Sequence, residues 1–85
     1  MLLTMDIGNT NINIGLFKGD NLALSVRLGT ERQKTDDQYA MDFTNIFVMH
    51  KIDFNDINGV VISSVVPEIT ESVTNAIKKL TGKML

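Results

Sequence analysis

The stretch that decides the fold is Met5-Asp6-Ile7-Gly8-Asn9-Thr10-Asn11, with Ile12-Asn13 directly behind it. The apolar run Met1-Leu2-Leu3-Thr4-Met5 leads in, and Ile12-Asn13-Ile14-Gly15-Leu16-Phe17 leads out. The pattern predicts strand, tight turn, strand, with a carboxylate at the end of the first strand. Such a turn suits a phosphate chain with its divalent metal. Backbone N–H groups and the Thr10 hydroxyl can donate to phosphate oxygens. Asp6 can hold a cation directly or through water, and Gly8 has no Cβ to keep a ligand from the backbone. The competing reading is an ordinary hairpin whose Asp and Asn satisfy local backbone groups. Two details favour a ligand. Asp6 emerges from an apolar strand, and Asn9, Thr10, Asn11 and Asn13 crowd around it although amides are poor strand residues. The turn is not a Walker loop, because no Gly-Lys-Ser/Thr is present.

Outward from the turn, residues 2–6 are predicted as a strand, apolar enough to be covered on both faces. Residues 11–17 form a second strand, with Ile12, Ile14 and Leu16 on one side and Asn11, Asn13, Gly15 and Phe17 on the other. Lys18-Gly19-Asp20-Asn21 has hairpin-turn composition. Leu22 to Leu28 is a third strand, placing Leu22, Leu24, Val26 and Leu28 on one face. A polar loop, Gly29 to Lys34, precedes a helix over 36–50 capped by Thr35 or Asp36, with Tyr39, Phe43, Ile46, Phe47 and His50 at helical spacing. A connector over 53–58 leads to a short apolar strand, Gly59 to Ser64. A second helix starts near Pro67, carries Ile69, Val73, Ile77 and Leu80 on one face, and ends at Thr81-Gly82. The expected order is β-β-β-α-β-α, an α/β class with a mixed sheet in which the fourth strand lies parallel to the first.

At 85 residues the chain is at most one small domain, with no cysteine for a disulfide or thiolate metal site. The formal net charge of -2 and scattered charges exclude the basic stripe of a nucleic-acid binder. The apolar runs are too short to span a bilayer or to serve as a signal peptide. A cytoplasmic protein is expected, with no nucleic acid and no membrane as partner. The last residues, Lys83-Met84-Leu85, read like the entry to another strand, so the chain is expected to be the N-terminal piece of a longer protein.

A second candidate site is Ser63-Ser64-Val65-Val66-Pro67. Ligands of open α/β sheets sit beyond the carboxyl ends of parallel strands. If the first and fourth strands are neighbours, the Ser63 and Ser64 hydroxyls line the same cleft as Asp6; alternatively these small residues only permit the bend. No base accompanies them, so neither is read as a nucleophile. His50, the one histidine, is read as a helix-end residue rather than a base. Arg27 and Arg32 are read as solvated, Tyr39, Phe43 and Phe47 as core, and Asp36, Asp37, Asp42, Asp53 and Asp56 as caps and surface.

Together, Asp6 to Asn11, Arg27 to Tyr39 with Thr35-Asp36-Asp37-Gln38-Tyr39, and Ile62-Ser63-Ser64-Val65-Val66-Pro67 resemble type III pantothenate kinase. The turn alone is shared widely in the actin-like and sugar-kinase superfamily; the Ser-Ser-Val-Val-Pro run at this spacing makes the match specific. The resemblance covers the N-terminal part of that family. It implies a ribonuclease-H-like, actin-like ATPase fold, here partial, with residues 1–85 opening the first of two such domains. It also implies ATP-dependent phosphorylation of pantothenate, a divalent metal such as Mg2+, a monovalent cation (K+ or NH4+), and a cytoplasmic homodimer. The first phosphate motif then falls on Asp6, Ile7, Gly8, Asn9, Thr10, Asn11, Ile12 and Asn13, with Asp6 placing the metal. Gln38 stands where an acidic residue is usual, and its stretch reads as a helix start. The family's Gly-x-Asp-Arg segment and its second phosphate motif, Asp-x-Gly-Thr, do not occur in these residues. No catalytic residue is therefore expected here, and the piece alone is expected to be inactive. The alternatives are another kinase or phosphatase of the superfamily, a regulatory protein of the transcriptional-activator type, and a two-metal nuclease. The nuclease needs several strand-end carboxylates, and only Asp6 qualifies.

Overall fold

The computed structural model describes residues 1–82, so the strand entry expected at residues 83–85 lies outside the described residues. The elements are β1 (Leu2–Ile7), β2 (Asn11–Lys18), β3 (Asn21–Gly29), α1 (Asp36–Met49), β4 (Gly59–Ser64) and α2 (Pro67–Thr81), with one 3-10 turn (Phe54–Asp56) inside the connector. The β-β-β-α-β-α order is the expected one, and it accords with part of an actin-like ATPase fold. The sheet runs β3-β2-β1-β4, with β1 antiparallel to β2 and parallel to β4.

Alternation along the strands builds the core. Leu3, Met5 and Ile7 of β1 and Ile12, Ile14 and Leu16 of β2 are all buried. They meet Tyr39, Phe43 and Phe47 of α1 and Ile69, Val73, Ala76 and Ile77 of α2 in one cluster. Both helices therefore cover a single face of the sheet. β1 is not covered on both faces by the described residues. Its other side presents Asp6 and a partly exposed Leu2.

One strand expectation fails for a local reason. Leu22 does not share the core face of Leu24. A bulge between Leu16 and Phe17 pairs Phe17 with Leu22 while Leu16 stays opposite Leu24. The extra β3 residue reverses the alternation there, and Leu22 turns to the open face, 54% exposed.

Helix α1 begins with a reciprocal cap. The Thr35 hydroxyl accepts from Gln38 N–H at 3.2 Å, and the Gln38 side chain accepts from Thr35 N–H at 2.8 Å. Gln38 is thus a capping residue, as its position at a helix start implies. The helix stops at Met49 with His50 as an exposed cap, one residue short of the expected end. The reversal uses Lys51 at φ 59°, with Ile52 N–H donating to Phe47 C=O and Lys51 N–H to Val48 C=O. Helix α2 ends on Gly82 at φ 69°, the left-handed cap expected from its sequence.

The loop between β3 and α1 is fastened to α1. The Tyr39 hydroxyl donates to Glu31 C=O at 2.6 Å and accepts from Glu31 N–H at 3.0 Å. Lys34 Nζ lies 2.6 Å from Asp42 Oδ2 and 5.7 Å from the Tyr39 ring centroid. Among the described residues, no helix is long and apolar enough to cross a membrane.

Tyr39→Phe keeps the ring packing but removes both bonds to Glu31, and should cost about 1–2 kcal/mol in urea denaturation. An unchanged midpoint would show that the hydroxyl does not secure the loop. The hydrogen bond to Asp42 holds the Lys34 ammonium above its ordinary value of 10.5. A lysine raised on folding contributes stability that is complete below pH 10.5 and lost as pH rises through the raised value. The stability difference between wild type and Lys34→Met should therefore shrink in strongly alkaline solution; a difference independent of pH would contradict it.

Candidate functional site

The β1–β4 register puts the two sequence candidates side by side. Asp6 is opposite Ser63 on β4 and opposite Asn13 on β2, and Asn13 is opposite Arg27 on β3. Ser63, Asp6, Asn13 and Arg27 form one exposed row across the open face. The row ends at the carboxyl ends of two parallel strands, where open α/β sheets take ligands.

Ser64 is placed differently from Ser63. It is opposite Ile7, on the helix side. Its hydroxyl accepts from Val66 N–H at 3.0 Å and from the Thr70 hydroxyl at 2.9 Å. These bonds hold the bend into α2, while Ser63 stays beside Asp6. Ile7 and Ile12 lie in the core and contribute only backbone to the turn.

The turn itself closes by Gly8 N–H donating to Asn11 C=O at 2.8 Å. A Cβ on Gly8 would sit 3.2 Å from that same carbonyl oxygen, so the turn's own closure favours glycine here. The Gly8 donor is consumed by the turn. The N–H groups of exposed Asn9 and Thr10 have no partner among the described residues. They and the Thr10 hydroxyl are the donors this turn offers to an anion.

Residues of the β3–α1 loop, read from sequence as a plain polar connection, brace the turn. The Thr30 hydroxyl donates to Gly8 C=O at 2.7 Å, and Thr30 N–H donates to Thr10 C=O at 2.8 Å. Arg32, read as solvated, donates from Nη2 to Asn9 Oδ1 at 3.2 Å and from Nε to Glu68 Oε2 at 3.2 Å. No spacing rule links positions 8, 30 and 68; the hairpin and the β4–α2 bend bring them together.

Among the described residues, no three His, Cys, Asp or Glu side chains gather to hold a metal ion. Asp6 is the only carboxylate in the exposed row. His50 lies at the far end of α1, apart from this row.

Thr30→Val keeps the side-chain shape and leaves Gly8 C=O without its hydroxyl donor. It should cost about 1–2 kcal/mol and speed amide hydrogen exchange at residues 8–11. Unchanged exchange there would show that Thr30 does not brace the turn.

The family model described as type III pantothenate kinase matches residues 2–85. A protein of Halalkalibacterium halodurans named type III pantothenate kinase is 44% identical over 79 residues, covering 93% of this chain and 31% of the relative. One of the same name from Moorella thermoacetica is 42% identical over 82 residues, covering 96% of this chain and 32% of the relative. The chain thus spans about a third of the length of these relatives. With the family match running over residues 2–85, through the hairpin turn, Thr30, Ser63 and the bend held by Ser64, the chain belongs to the type III pantothenate kinase family.

Proposed function

We propose that these residues open the first of two ribonuclease-H-like domains of an ATP-dependent kinase. That enzyme phosphorylates pantothenate to 4'-phosphopantothenate, the first step of coenzyme A synthesis. The observation that carries the reading is the braced Gly8–Asn11 turn, with two N–H groups unpartnered among the described residues and Asp6 at the carboxyl end of β1.

Each residue has a distinct task. Asn9 and Thr10 N–H groups and the Thr10 hydroxyl receive phosphoryl oxygens. Asp6 anchors a divalent cation directly or through water, and Asn13 and Ser63 flank it. The donor set fits magnesium, which is commonly held by one or two carboxylates, substrate phosphates and water rather than by a protein cage. Magnesium would supply neutralisation of the phosphate charge. Thr30 keeps the turn shaped before a nucleotide arrives, so little ordering is needed on binding.

The catalytic base and the pantothenate contacts belong to the Gly-x-Asp-Arg segment, which these residues do not contain. The monovalent cation, the homodimer and the cytoplasmic setting stay with this proposal as properties of the whole protein. Phosphoryl transfer requires both reactants to be positioned and the charge between them neutralised. The 85-residue chain by itself positions only one of them.

Calorimetric titration with ATP should show binding that depends on magnesium. Asp6→Asn should weaken the magnesium-dependent part by about tenfold or more, equivalent to roughly 1.4 kcal/mol. The isolated chain should give no pantothenate-dependent ATP turnover. Binding that is equally strong with chelator, or equally strong in Asp6→Asn, contradicts the reading.

A further inference from the structure

We propose that Arg32 and Glu68 form a charge latch beside the turn: Glu68 holds the guanidinium in waiting, and a polyphosphate seated on the turn takes it over. The inference rests on the nucleotide reading above and adds a binding residue and its competitor to that site.

The geometry supplies each part. Arg32 is one residue beyond Glu31, whose backbone N–H and C=O are both bonded to the Tyr39 hydroxyl. Two residues back, Thr30 is tied to Gly8 and Thr10. The backbone leading into Arg32 is therefore held close to the turn by Thr30 and fastened to α1 through Glu31. Its guanidinium reaches Asn9, one of the two turn residues with a free N–H, and Glu68 in the first turn of α2. Among the described residues, Nη1 has no partner.

The pair is built to be exchanged. The Arg32 and Glu68 side chains are 51% and 60% exposed, and exposed ion pairs contribute little to stability. Arginine stays charged at any working pH, and its planar fork matches phosphate oxygens bidentately. A polyphosphate offers more negative charge than one carboxylate. Once released, Glu68 is not stranded, since water and the positive end of α2 both favour its charge. Before release, Glu68 occupies the Arg32 guanidinium. That competition lowers affinity, so the latch sets how much nucleotide is needed to fill the site.

The test is magnesium-ATP titration of the protein at its natural length. Four variants are compared with wild type: Arg32→Gln, Arg32→Lys, Glu68→Gln, and Arg32→Gln with Glu68→Gln. Arg32→Gln should weaken binding by about tenfold or more, as expected for a lost charge-assisted hydrogen bond. Arg32→Lys should recover part of it. Glu68→Gln should tighten binding by about two- to fivefold, the scale of an exposed ion pair. That gain should vanish in the double variant, because there is no guanidinium left to free. Thermal melting of each variant checks that the fold is retained. Unchanged binding in Arg32→Gln overturns the latch, and so does a Glu68→Gln gain that persists in the double variant. A wild-type protein that binds no ATP instead overturns the nucleotide reading, so the two failures are distinct.

Discussion

The structure depends on β1 keeping one face apolar and the other open. Leu3, Met5 and Ile7 are 0–2% exposed beneath two helices, and Asp6 stands between them on the opposite side. A slip of one residue would carry Asp6 under the helices and push the three apolar side chains into water. Burying an unpartnered carboxylate costs far more than the register could recover. The demand of the core is what aims the carboxylate outward. The strand direction then places it at the end where β1 and the parallel β4 both finish.

The candidate site is rigid because it borrows its support. The turn's two inner carbonyls, Gly8 and Thr10, are both engaged by Thr30, which leaves the outer N–H groups of Asn9 and Thr10 as donors. Thr30 is in turn followed by a loop that Tyr39, Lys34–Asp42 and the Thr35–Gln38 cap fasten to α1. A helix with no residue in the exposed row thus governs the shape of the turn. The same chain of contacts brings Arg32 to Asn9, so charge and shape at the turn have a common origin in the β3–α1 loop.

Much of this was legible in the residues. The strand–turn–strand reading of the first 17 residues follows from apolar alternation around Gly-Asn-Thr, and both helices announce themselves by 3.6-residue spacing and end signals. Asp6 stood out because a carboxylate in an apolar run needs a reason. Two things were hidden. The bulge that turns Leu22 outward has no compositional mark, since β3 alternates perfectly on its own and the extra residue shows only against β2. Lys51 adopts a left-handed φ of 59° without glycine, so the close of α1 was readable only to within a residue.

By itself the sequence determined the element order, the apolar faces and the presence of a carboxylate-led, amide-rich turn, because these are local properties of spacing and residue type. Only the tertiary structure decided that Ser63 flanks Asp6 while Ser64 is spent on the bend into α2. It alone decided that Thr30 braces the turn and that Arg32 bridges Asn9 to Glu68. The contacts of Ser63, Thr30 and Arg32 join residues 20 to 57 positions apart, and their partners are chosen by strand register and helix docking, which no local pattern encodes.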